Sequence, residues 1–171
     1  MRRTTGISHI FFCALLSAPL AAAPQAANFP SPKDSRISMH AEGTFDVKNS
    51  QLPSDDAIAA TPIGRFGLDK QFHGDLDASS KGEMLAAGNP ASGAGGYVAI
   101  EFVTGTLQGR KGSFALQHFG TMEAGKFDLK VLVAPGSGTG ELTGISGSME
   151  IIIAAGKHSY KFDYTVPAAT P

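Results

Sequence analysis

With 171 residues, 42% of them hydrophobic and 17% charged, the chain has the composition of one globular domain able to bury a core, which excludes a chain disordered throughout. A formal charge of -1, with no run of Lys and Arg interleaved with aromatics, gives no reason to expect nucleic acid as a partner. The single cysteine, Cys13, excludes a disulfide within the chain.

At the start of the chain, Arg2 and Arg3 supply positive charge, Ile7 to Leu20 an apolar run, and Ala21 to Ala27 the small residues that a signal peptidase requires. Residues 1–27 are therefore expected to be a signal peptide, and the protein to be periplasmic or secreted. Cleavage is expected inside the alanine run, after Ala22 or after Ala26, since Pro24 opposes a cut directly after Ala23. Cys13 would leave with the leader, so the exported chain would be held by packing alone. The apolar run is short for a membrane span and no later stretch could cross as a helix, so no stable span is expected once the leader is gone.

Residues 28–37, rich in Pro, Ser and charge, read as a flexible tether, and residues 38–166 as the folded domain. Strands are expected at Ser38 to Lys48 and at Gly64 to Asp75, with a long loop from Asn49 to Ile63 that is a candidate lid over a pocket. Lys81 to Gly88 is expected to pair with the second strand across a turn at Asp77 to Ser80, followed by the long strand Tyr97 to Leu107. Ser113 to Gly120, Lys126 to Ala134 and a terminal hairpin of Ser148 to Ala154 with Lys157 to Val166 complete the set, leaving residues 167–171 as a disordered tail.

One pattern occurs twice. Gly105 to Phe114 (GTLQGRKGSF) and Gly140 to Met149 (GELTGISGSM) both read Gly-x-Leu-x-Gly-x-x-Gly-Ser and then a large apolar residue. This is read as one corner used twice, with a strand ending at each Leu, a turn through glycines, and a new strand beginning at each Ser. No window carries helical periodicity, and strands recur about every ten residues. About eight antiparallel strands in one domain remove their edges by closing, so an all-β fold is expected, a single closed antiparallel β-barrel whose lumen is filled by side chains or holds one small ligand.

The runs GTLQGRKGSFALQHFGTM (Gly105 to Met122), APGSGTGELTGISG (Ala134 to Gly147), AEGTFDVK (Ala41 to Lys48) and FHGDL (Phe72 to Leu76) resemble the bacterial family known as domain of unknown function 3224, over most of the chain after Met39. That family is similar to the allene oxide cyclase and dirigent barrels, so the resemblance implies an allene oxide cyclase-like, eight-stranded up-and-down barrel, often trimeric in those relatives. It implies no reaction, and the cyclases' catalytic residues find no matching positions here. The leader and tether set this copy apart from cytosolic members, as does His73, where a small polar residue is expected.

Candidate chemistry centres on Glu101, which shares a strand face with Tyr97, Ala99 and Val103. Inside a barrel its carboxyl would be desolvated and its pKa raised, fitting a general acid/base; facing outward it would meet water, Gln117 or Lys130. Gln117 and His118 point to opposite faces, and His118 joins the interior if Phe114 and Leu116 line it. Tyr97, Glu101, Gln117 and His118 are the candidate lining residues, with Glu101 and His118 the catalytic candidates. His73, Asp75 and Asp77 alternate but lack two further converging ligands, so no metal is expected, and no motif calls for a cofactor. The glycine-rich stretch Gly136 to Gly144 lacks the ending of a phosphate loop and reads as a turn. Two function classes stay open. One is a non-catalytic barrel that binds a small apolar molecule or serves as an oligomeric module; the other is an isomerase- or cyclase-like enzyme using Glu101 with Tyr97 or His118. Because Ser148 to Ala155 and Val131 to Ala134 are apolar on both faces, a homo-oligomer is expected.

Overall fold

The structure, a computed structural model, describes residues 36–168. The expected signal peptide, most of the expected tether and the last three residues of the expected tail lie outside the described residues. Strands β1 (Arg36–Leu52), β2 (Gly64–Gly74), β3 (Leu76–Asn89), β4 (Ala94–Leu107), β5 (Arg110–Glu123), β6 (Lys126–Val133), β7 (Thr139–Gly140), β8 (Ser146–Ala154) and β9 (Lys157–Pro167) follow in order. Eight of them close a ring, because β1 pairs with both β2 and β9 while β4 pairs with both β3 and β5. β6 and β8 complete it through Val131–Met149 and Leu132–Ser148. Every pair is antiparallel, and the two-residue β7 lies outside the ring against Gly112 and Ser113 of β5. The fold is thus the expected all-β closed barrel, with one extra strand.

Alternation sets the inside. On β5 Phe114, Leu116 and His118 are buried, and on β9 Tyr160, Phe162, Tyr164 and Val166 are buried while Lys161 and Asp163 are exposed. One end of the barrel is packed solid by Leu76, Leu107, Phe114, Phe162 and Tyr164, with Phe162 stacked between Phe114 and Tyr164 at centroid distances of 5.7 and 5.1 Å. Leu142 and Ile145, which belong to no strand, are 1% and 2% exposed and plug this end. Toward the other end inward residues become progressively exposed, with Met84, Tyr97, Leu129 and Ile151 only half-buried and Ile153 exposed.

Several local expectations are corrected. β3 begins at Leu76 and runs unbroken, so Asp77 to Ser80 is strand; the turn falls at Gly74 and Asp75, where Gly74 takes φ 101°. The repeat is not one corner used twice. Its first copy is a hairpin that turns at Gln108 and Gly109 between β4 and β5, and β5 starts at Arg110. Its second copy spans β7 and a run of turns, with Leu142 as plug rather than strand end. What the copies share is a glycine at positive φ, 84° at Gly109 and 77° at Gly144. β1 begins at Arg36 and reaches Leu52, so the loop is only residues 53–63. Asp55 and Ile58 of that loop border a groove of about 740 Å³ on the outer side of the barrel, so the loop does lie beside a pocket. The groove floor is an apolar patch built by neighbouring outward residues, Leu85 beside Val98, Val98 beside Phe119 and Gln117 beside Leu132.

Candidate functional site

The site is built across four consecutive strands of the barrel wall. β4 carries Glu101 on one face with Tyr97, Ala99 and Val103, as expected from alternation, and that face points inward, leaving Glu101 1% exposed. β5 brings in His118, β2 Lys70 and β3 Ser80, all buried. Lys70 Nζ donates to Glu101 Oε1 at 2.8 Å, His118 Nε2 donates to the same oxygen at 3.0 Å, and Ser80 Oγ donates to Oε2 at 2.8 Å. The lysine ammonium also sits 5.1 Å from the ring centre of Phe45 and 5.8 Å from that of Phe72.

The electrostatics overturn one expectation. Burial does push the Glu101 carboxyl upward, but the hydrogen bond from His118, the Lys70 charge and the Lys70 hydrogen bond outweigh it and hold the group at about 2. Desolvation alone was the wrong guide, because three donors converge on the carboxylate. An ionised carboxylate only accepts hydrogen bonds, so His118 Nε2 carries the proton. Tyr97 is pushed up to about 12, first by burial and then by the Glu101 charge. Its ring lies over Gly120, where an added Cβ would come within 2.2 Å of Tyr97 Cε1, and stacks on Phe127 at 6.3 Å.

Above the cluster is a cavity of about 190 Å³ lined by Phe45, Leu68, Lys70, Tyr97, His118 and Phe127, among others. Glu101, His118 and Tyr97 are thus brought together as expected. Gln117 is not: it is exposed and borders the outer groove, because alternation puts it on the face opposite His118. Neither Gln117 nor Lys130 bonds Glu101. His73 and Asp75 also stay apart from any common centre, His73 Nε2 meeting Asp46 Oδ2 at 3.3 Å while Asp75 Oδ2 accepts the Glu42 N–H at 3.0 Å. Sequence reasoning missed Lys70 and Ser80. The available signal for Lys70 was its parity with Phe66, Leu68 and Phe72, three large apolar residues at alternate positions.

A closed eight-stranded antiparallel barrel, solid at one end and hollow above a buried Lys–Glu–His cluster, is the class that these observations define. The family described as a protein of unknown function (DUF3224) matches residues 41–164, and the chain belongs to it. The chain is similar to a solved structure, at 1.84 Å resolution, of a protein of unknown function from the same family from Shewanella oneidensis MR-1. The two share 46% identity with a TM-score of 0.71, over 78% of this chain and 100% of that one. No curated protein matches the chain.

Lys70→Met leaves Glu101 buried without its cation and is expected to cost about 3–5 kcal/mol in urea unfolding, whereas Lys70→Met/Glu101→Leu, which removes both charges, recovers most of that loss. Equal destabilisation by the single and double variants would show that the pair is not coupled. Because the folded Glu101 pKa lies near 2, below its ordinary 4.5, its contribution is present above 4.5 and is lost as pH falls from there toward 2. The gap corresponds to about 3 kcal/mol. Urea midpoints measured through this window are expected to fall more for the wild type than for the double variant; parallel curves would contradict the assignment.

Proposed function

We propose that the protein is an exported, non-catalytic barrel that holds one small, mainly apolar molecule in its lumen. The observation that carries this reading is the cavity of about 190 Å³ at the level where inward side chains stop filling the barrel. An apolar cavity of about 150 Å³ takes up benzene, so the volume suits a ligand built on one ring. Export rests on the leader pattern in residues 1–27. A carboxyl held at about 2 stays ionised near neutral pH and is a weak base, which favours binding over an isomerase or cyclase that moves protons through Glu101. Toluene near saturation is expected to raise the melting temperature by about 4 °C or more, and Ile151→Trp, which fills the cavity, to abolish the rise. No rise with the unmodified protein would remove the lumen as a binding site.

Self-association is the second reading, supported by the exposed residues Leu85, Val98, Ile100, Phe102, Phe119 and Leu132 on the outer face of β3 to β6. On this reading the contact would lie mainly on β4 and β5, away from Ser148 to Ala155. The Arg65–Glu83 pair, with Nε–Oε2 and Nη2–Oε1 both 2.9 Å, borders the patch and supplies the polar rim that such interfaces have. Light scattering at micromolar concentration is expected to give an oligomer that Val98→Lys/Phe119→Lys converts to monomer. A monomeric wild type would end this reading.

A further inference from the structure

The polar floor of the cavity has unused hydrogen-bonding capacity, and its arrangement selects a head group. Lys70 has three N–H bonds and, among the described residues, one hydrogen-bond acceptor, Glu101; the rings of Phe45 and Phe72 face the rest of the ammonium. His118 spends its Nε2 proton on the same carboxylate oxygen, so when the imidazole is neutral its Nδ1 carries a lone pair, and that atom has no hydrogen-bond partner among the described residues. Lys70 Nζ and His118 Nε2 touch one oxygen, and both residues line the aromatic and aliphatic cavity, so a cationic donor and an imidazole with an unused acceptor border the same space.

Resting on the lumen-binding reading above, the geometry points to a small aromatic or branched monocarboxylic acid as the ligand class, seated head-down with one carboxyl oxygen accepting from Lys70 and the other, bearing the proton, donating to His118 Nδ1. A carboxylic acid carries an acceptor and a donor on one carbon, which matches a cavity bordered by an ammonium with spare N–H bonds and an imidazole with an unused acceptor. A bare hydrocarbon of the same size would leave both unpaired. Because Lys70 and Glu101 cancel, an acid that brings its own proton adds no net charge to the site. The volume admits one six-membered ring with its carboxyl group.

Calorimetric titration of the purified protein with sodium benzoate and with toluene at about pH 5, where a share of the benzoate carries the proton that binding requires, tests this. Benzoate is expected to bind about tenfold or more tighter than toluene, in line with a charge-assisted hydrogen bond. In Lys70→Met/Glu101→Leu that preference should fall to about unity. His118→Phe, which keeps the Lys70–Glu101 pair, provides a second variant should the first not fold, and is expected to reduce the preference for benzoate by a similar factor. Toluene bound as tightly as benzoate by the wild type, or a preference for benzoate that survives both variants, would overturn the head-group assignment and leave the lumen site standing. Binding of neither compound would overturn both.

Discussion

A carboxylate sealed inside a β-barrel must be answered by donors, and the way Glu101 is answered organises this molecule. Its three partners come from three strands other than its own, Lys70 from β2, Ser80 from β3 and His118 from β5, so one side chain ties four consecutive strands at one level. Side chains alternate with period two, so a slip of one residue in any of these strands would turn a donor outward and strand a charge. The register is observed as Ser80 opposite Val103 and Glu101 opposite Leu116, which places the donors diagonally around the carboxylate rather than directly across from it. The cluster therefore specifies pairing as well as charge.

The cluster also divides the lumen. On one side Phe114, Phe162, Tyr164 and the plug residues Leu142 and Ile145 are buried in one continuous cluster. Tyr160 reinforces that half by accepting the Leu76 N–H at 2.9 Å and donating to the His73 carbonyl at 3.3 Å, which closes the β2–β3 turn onto β9. On the other side the inward positions hold Gly82, Ala86, Gly95 and Gly120 among the larger residues, and those small positions cannot fill a ring of eight strands. Gly120 in particular is where Tyr97 lays its ring, so one aromatic side chain covers backbone that a methyl group would displace.

The closed barrel was legible because strand alternation and turn signals recur along the chain, and because β1 and β9 pair, as closure demands. Alternation showed that Glu101 shares a face with Tyr97 and Val103, and His118 with Phe114 and Leu116, while which face turns inward is visible only in the structure. The partner of Glu101 was not legible, because a lysine in a strand ordinarily faces water, and only its parity with Phe66, Leu68 and Phe72 marks Lys70 as internal. The pKa direction failed for a related reason: burial alone points upward, and the hydrogen bond from His118 followed by the Lys70 charge outweighs it. The doubled glycine pattern misled for another reason. Glycine spacing records where backbone is tight or left-handed, and a hairpin and a plugging loop satisfy that requirement equally well.

A buried ion pair is weak evidence for stability, because apolar residues of similar size pack as well without the cost of desolvation. That cost falls here on β4, whose inward face carries Glu101 while its outward face exposes Val98, Ile100 and Phe102, an inversion of the usual arrangement. If the charges served packing alone, the solid half of the barrel would be the natural place for them, shielded and closely held. Instead they sit where filling stops, with Lys70 and His118 both bordering the cavity and Tyr97 above them. The coincidence of an expensive polar cluster with the boundary of an unfilled lumen is what favours the proposed binding site over a packing defect, since a defect would be lined by hydrocarbon and would need no charge at its floor.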